Sequence, residues 1–253
     1  MEGQPEIVPV LEAHRLDEAR LAEYLEQHNL LDGALKVRQF QGGQSNPTYL
    51  LQSGDREYVL RKKPPGKVLP SAHQVDREYR VMKALGEHSE VPVPAMHVLC
   101  EDDAVIGTSF YVMDFVPGRV FTQPQLEALP KDQRVDLYND KIDTLAKLHS
   151  VDYQAAGLGD FGKPKGYVER QVKRWSAQYE ASKTDEMPAM DNLMAWLADN
   201  IPQDDSAAIA HGDFRLGNLL VDNRTPDVVA VLDWELATIG HPLADLAYCC
   251  LPY

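Results

Sequence analysis

The chain has 253 residues, 44% hydrophobic and 25% charged, which is enough for two lobes around a cleft. Its 39 acidic residues against 25 basic ones leave a net charge of −14, which excludes nucleic-acid binding spread over the whole surface. No uninterrupted apolar run approaches the roughly 20 residues of a membrane span. The acidic start of the chain lacks the basic-then-apolar order of a secretion signal. Cys100, Cys249 and Cys250 are an odd set with two adjacent, not a disulfide framework, and no zinc-ligand spacing occurs. A cytoplasmic protein with neither membrane nor nucleic-acid partners is expected.

In chain order, residues 1–34 read as an N-terminal helical extension. A β-rich stretch follows, in which Tyr49-Leu50-Leu51 and Tyr58-Val59-Leu60-Arg61 are short apolar runs split by the hairpin signal Ser53-Gly54-Asp55. The spacing of Tyr79, Met82 and Leu85 predicts a helix over 75–85. Strands are expected at 96–100 and 109–115, and Val116-Pro117-Gly118 then breaks the pattern as a linker does. Leu137, Ile142, Leu145 and Leu148 predict a helix over 135–149. Amphipathic helices follow over 167–179 and 190–200, the second closed by Pro202. Short strands at 219–221 and 228–232 flank the turn residues 222–226. Residues 245–251 are apolar and compatible with a helix. An apolar end is unusual for a finished domain, so a C-terminally truncated fold is expected. The pattern predicts a bilobal α+β architecture with a nucleotide-binding N-lobe at 35–116 and a helical C-lobe at 117–253.

The most specific chemistry lies in His211-Gly212-Asp213-Phe214-Arg215-Leu216-Gly217-Asn218, followed by a hydrophobic strand and Asp233. Phosphoryl transfer needs a carboxylate beside the acceptor hydroxyl, and an Asn plus a second carboxylate on a metal ion. Asp213 is the candidate base, and Asn218 and Asp233 are the candidate Mg²⁺ ligands. Alone, Asp213 or Asn218 reads as an ordinary turn residue; the three in this order, with strands between, argue for catalysis. His211 is expected to hold the loop by hydrogen bonds and not to act as a base.

Upstream, Gln41-Gly42-Gly43-Gln44-Ser45-Asn46-Pro47 combines glycines with small polar residues. Gly42, Gly43, Ser45 and Asn46 are candidates for cradling phosphate oxygens, although the same residues also make an ordinary turn. Arg61 on the next strand is the candidate phosphate cation, fixed by Glu78 on the next helix. Strand alternation puts Arg61 with Val59 on one face and Lys62 with Leu60 on the other, and Arg61 is favoured for the cleft. The alternative for Glu78 is a solvated helix face within Asp76-Arg77-Glu78-Tyr79-Arg80. Backbone groups at Asp114 and Val116 are candidates for reading a nucleotide base, with a plain linker as the alternative. The cofactors implied are ATP and Mg²⁺.

These motifs resemble the aminoglycoside phosphotransferase and choline kinase family, whose members share the protein-kinase-like fold. Gly42 to Thr48, Tyr58 to Arg61, Arg77 to Val81, His211-Gly212-Asp213 and Asp233 to Thr238 look most like the kinase-like domain associated with acyl-CoA dehydrogenases. The resemblance implies Asp213 as base, Asn218 and Asp233 as metal ligands, and Glu78 as partner of the strand cation. It also implies Asp245 as a support of the catalytic loop. Two departures stand out. Arg61 replaces the Lys of many relatives, and Asp233-Trp234-Glu235 stands in place of a D-F-G with no long activation segment before Asp245.

The implied activity is ATP- and Mg²⁺-dependent phosphorylation of a small-molecule hydroxyl, on a hydroxy acid or hydroxyacyl-CoA, with an association with acyl-CoA metabolism. The alternatives are an aminoglycoside kinase or a non-catalytic nucleotide-binding pseudokinase module, the latter motivated by Arg61. A protein acceptor is disfavoured because there is no activation segment. In the family, helices after the Asp245 segment build much of the acceptor pocket.

Overall fold

The structure is a computed structural model that describes residues 6–41, 46–64 and 74–252. Its smaller lobe is a six-stranded antiparallel sheet in the order β1-β2-β3-β4-β6-β5. The strands are β1 (Ile7–Val8), β2 (Lys36–Phe40), β3 (Thr48–Ser53), β4 (Arg56–Lys62), β5 (Met96–Cys100) and β6 (Phe110–Asp114). Helix α1 (Glu18–Gln27) lies before β2, and α2 (Val75–His88) lies between β4 and β5. The turn at Ser53-Gly54-Asp55 is a tight one. Gly54 has φ +59, and a Cβ there would meet the Asp32 carbonyl oxygen at 2.4 Å, so only glycine fits.

Alternation along β4 divides the lobe. Tyr58 and Leu60 point to one face, where they join Tyr49, Leu51, Phe110 and Val112 beneath Leu21 and Leu25 of α1. Leu21 and Leu25 are fully buried, which contributes about 1.5–3 kcal/mol apiece. Val59 points to the other face, with Tyr111, Met113 and the apolar stripe of α2, and this core runs on into the larger lobe. Within the stretch expected as a helical extension, residues 6–34 supply both an edge strand and the helix covering the sheet, and they share a core with β3, β4, β5 and β6.

The larger lobe contains α4 (Lys131–His149), α5 (Tyr167–Ser182) and α6 (Pro188–Asp199), after a short α3 (Asp103–Ile106) in the smaller lobe. Two small antiparallel ladders follow. One is β7 (Ala208–Ala210) with β10 (Thr238–Gly240), and the other is β8 (Leu219–Val221) with β9 (Val228–Val231). Helix α7 (Pro242–Cys250) comes last. The linker after β6 is fastened by paired backbone bonds between Arg119 and Val221 at 2.7 and 2.9 Å, while the Val231 N–H donates to the Pro92 carbonyl at 2.8 Å. Both contacts fix the lobes relative to each other.

The sequence spacing misplaced one residue of α4. Its buried stripe is Leu137, Lys141, Thr144, Leu145 and Leu148, while Ile142 is 43% exposed. Position 142 falls five residues after Leu137, off the helical repeat, and Lys141 takes the inward position. Among the described residues no helix is long and apolar enough to cross a membrane.

Candidate functional site

Three segments converge where the lobes meet. The first is the turn from β7 into β8, which carries His211 to Asn218. A Cβ at Gly212 would lie 2.9 Å from both Leu236 Cβ and the Leu236 carbonyl oxygen, and its φ is +85. The glycine of His-Gly-Asp is thus demanded by a close approach and a left-handed backbone together. His211 is fully buried. Its Nε2 donates to the Leu232 carbonyl at 3.0 Å, and its Nδ1 accepts the Asp213 N–H at 3.2 Å, a partner set that places the proton on Nε2. Burial pushes its pKa down, against the pull of Asp245. A neutral, fully hydrogen-bonded ring supports the loop, as expected for His211.

Asp245, on α7, is 1% exposed and closes the same turn. Its two oxygens accept the backbone N–H groups of His211 at 2.7 Å and Gly212 at 2.8 Å, and His149 Nε2 lies 3.1 Å from Oδ2. Asn218 Nδ2 donates to the Asp213 carbonyl at 2.9 Å and to Asp213 Oδ2 at 2.7 Å. That use of the amide nitrogen leaves Oδ1 as the atom able to face a cation.

The second segment follows β9. The Leu232 N–H donates to the Asn218 carbonyl at 2.8 Å, which seats Asp233 beside the first segment. Asp233 adopts φ 67 and ψ 62, a left-handed conformation that a non-glycine residue holds only when its surroundings impose it. Trp234 anchors the turn, with its indole N–H on the Val231 carbonyl at 2.9 Å and its ring 4.6 Å from His211.

The third segment is β4 with α2. Arg61 Nη2 donates to Asp233 Oδ1 at 2.8 Å and lies 3.7 Å from Glu235 Oε2. Arg61 Nε lies 3.4 Å from Glu78 Oε2, an ion-pair distance without hydrogen-bond geometry. Glu78 is fully buried, which rules out the solvated-face alternative. It also accepts from the Tyr111 hydroxyl and from Asn46 Nδ2, both at 3.0 Å. Burial pushes the Glu78 pKa up to about 7, although Arg61 and Tyr111 pull it down. Burial also works against the Arg61 charge, but Tyr111, Glu78 and Asp233 outweigh it and its pKa rises. Lys62 lies on the opposite face, buried, 5.8 Å from the Tyr49 ring, with its pKa pushed down by burial. Of the two cations, Arg61 is the one facing the cleft.

Asp213, Asn218, Asp233, Arg61 and Glu78 are thus brought together. The Asn46 side chain is 1% exposed and donates from Nδ2 to Glu78, so its amide braces the ion pair. The Asp114 carboxylate turns to His97 Nε2 at 2.6 Å, and its N–H donates to the Ala95 carbonyl at 2.9 Å. Val116 is half-buried in the linker. Gly42, Gly43 and Ser45 lie outside the described residues. Sequence reasoning missed Arg215, whose Nε lies 3.2 Å from both Asp213 oxygens, and Tyr248 of α7, whose hydroxyl pKa is pushed up chiefly by the neighbouring Asp213. The position of Arg215 two residues after Asp213, within the stretch from His211 to Asn218, was the one available signal.

Among the described residues, no cluster of three or more His, Cys, Asp or Glu side chains could hold a metal. The site offers one amide oxygen and one carboxylate instead. That sparse, hard-oxygen set suits Mg²⁺, which keeps waters and phosphate oxygens in its remaining positions.

The chain is similar to proteins already known. The human acyl-CoA dehydrogenase family member 11 is 45% identical over 257 residues, covering 99% of this chain and 33% of its own length. The chain spans about a quarter to a third of the length of the first such relatives. A solved Ralstonia eutropha structure, provisionally assigned as an aminoglycoside phosphotransferase, is 46% identical with a TM-score of 0.86, covering 94% of this chain and 70% of that one. The ternary complex of APH(2″)-IIa with streptomycin and ATP, 21% identical with a TM-score of 0.62, covers 91% of this chain and 74% of its own and shares the fold. Residues 36–253 match the phosphotransferase enzyme family, and with the kinase-like bilobal fold and the converging carboxylates this chain belongs to that family.

Proposed function

We propose that the protein is an ATP- and Mg²⁺-dependent phosphotransferase acting on a small-molecule hydroxyl. The observation that carries this reading is the convergence of Asp213, Asn218 and Asp233 with the Arg61–Glu78 pair, from three separate segments. In this reading the Asp213 carboxylate accepts the acceptor hydroxyl's proton as that oxygen bonds to the γ-phosphorus of ATP and the bond to the β-phosphate oxygen breaks, releasing ADP; Asn218 holds the carboxylate in place through Nδ2. Asn218 Oδ1 and the Asp233 carboxylate would hold Mg²⁺, which when bound neutralises charge on the phosphate oxygens. Arg61, kept charged by Glu78 and Asp233, supplies N–H donors to phosphate as a rigid fork where Lys would be a point charge. Asp114 and Val116 are proposed to offer backbone groups to the nucleotide base, and Gly42, Gly43 and Ser45 to contact its phosphates.

The acceptor we propose is a hydroxy acid or hydroxyacyl-CoA. It is supported by the relatives named as acyl-CoA dehydrogenase family members, in which a segment like this chain is part of a longer protein. Incubation with Mg-ATP and a panel of hydroxy acids, their CoA thioesters and aminoglycosides, read by ADP release and mass spectrometry of products, tests it. Phosphorylated hydroxyacyl products are expected. Phosphorylation of aminoglycosides alone overturns the acceptor class, and Mg-ATP binding without any turnover favours a pseudokinase module.

A further inference from the structure

The segment Asp76-Arg77-Glu78-Tyr79-Arg80 contains two arginines that the reaction does not use. Both reach out of the smaller lobe. Arg77 Nη2 donates to the Phe161 carbonyl at 2.7 Å and lies 3.3 Å from the Ala237 carbonyl, and its guanidinium sits 4.0 Å above the Phe161 ring. Arg80 Nη2 donates to the Gly157 carbonyl at 2.7 Å, and Arg80 also pairs with Asp160. The receiving loop is itself pressed against β10: a Cβ on Gly162 would lie 2.4 Å from Thr238 Oγ1 and 2.5 Å from the Ile239 nitrogen. Ala237 closes the same short segment that opens at Asp233. One side chain, adjacent in sequence to Glu78, therefore ties the helix carrying Glu78 to the segment carrying Asp233.

Arg61 bridges those same two carboxylates, at 3.4 and 2.8 Å. Its geometry depends on the spacing between α2 and the 233–237 segment, which no bond within either element sets. We propose that Arg77 is a positioning residue: it holds α2 in register with the Asp233 segment, so that Arg61 is aligned for phosphate in the resting fold and α2 does not act as a swinging regulatory helix. Partly buried bonds from a guanidinium to two carbonyls and an aromatic face suit this task, because the planar fork fixes direction as well as distance. The proposal rests on the nucleotide-binding reading above.

A double-mutant cycle tests it. Mg-ATP affinity is measured by calorimetry for wild type, Arg77→Ala, Glu78→Gln and the double variant, with melting temperatures alongside. Each single substitution is expected to weaken Mg-ATP binding about tenfold, and the double variant to be about as weak as the poorer single, because both act through Arg61. Losses that multiply to about a hundredfold, or an Arg77→Ala variant that melts earlier yet binds Mg-ATP like wild type, overturn the proposal.

Amide exchange in the nucleotide-free protein gives a readout independent of binding. Arg77→Ala is expected to speed exchange in Val75–His88 and Trp234–Leu236 together. Faster exchange confined to one of the two overturns the lock. Absence of Mg-ATP binding by wild type counts instead against the nucleotide reading.

Discussion

The stretch from His211 to Asp245 and the helical pair α5–α6 belong to the same lobe and are built on opposite principles. In the first, His211, Asn218 and Asp245 are buried and bond to backbone groups or to the Asp213 and His149 side chains at 2.7–3.2 Å. In the second, no residue of either helix is buried, and Trp175 and Trp196 are 59% and 60% exposed. A buried polar network allows few substitutions, because each lost partner strands another group away from water. An exposed helical pair held by few contacts tolerates many. Physical constraint is therefore concentrated where the family's chemistry is.

Substitutions can break or sharpen that contrast. The largest effect is expected from Asp213→Ala, which should lower kcat about 10²- to 10⁴-fold with little change in melting temperature, since Asp213 is part-exposed. Unchanged turnover in a product assay would remove Asp213 from its proposed role. Next, Asp245→Ala leaves two backbone N–H groups without their acceptor and should cost about 3 kcal/mol in urea unfolding. A loss as small as that of a surface change would erase the distinction between the two regions.

Glu78→Gln tests the ion pair through pH. The native state holds the Glu78 proton up to about 7, above the 4.5 of a free side chain, so it binds more protons than the unfolded chain in between. That contribution is fully present below 4.5 and is lost as pH rises to about 7. Wild type should therefore lose stability relative to Glu78→Gln across this interval, and parallel unfolding curves would refute the raised pKa. The smallest effect is expected from Trp196→Ser, within about 0.5 kcal/mol of wild type, as for other surface positions. A loss of several kcal/mol there would show that α5–α6 carries hidden constraint.

Much of this was legible beforehand wherever one local rule decided the outcome. Period-two alternation on β4 put Arg61 and Lys62 on opposite faces and favoured Arg61 for the cleft, where its bond to Asp233 places it. The order Asp213, Asn218, Asp233 around two short strands pointed to phosphoryl transfer, and residues 36–253 match the phosphotransferase enzyme family. The same local reasoning failed at Ile142, where the stripe on α4 was set by an inward Lys141 that apolar spacing does not detect. Nor did it foresee that the Asn46 amide braces Glu78.

By itself, the sequence determined the chemical groups and their order: a carboxylate, an amide and a second carboxylate on adjoining turns, with a cation and an acid upstream. Those follow from residue type and spacing, which act over a few positions. Only tertiary structure decided how they are held. Arg77 reaches carbonyls 84 and 160 residues away, Arg61 meets Asp233 across 172, and Asp245 caps backbone amides 33 and 34 residues earlier. Such contacts form because burial forces every polar group to find a partner wherever the packed chain supplies one, and no local periodicity encodes which partner that will be.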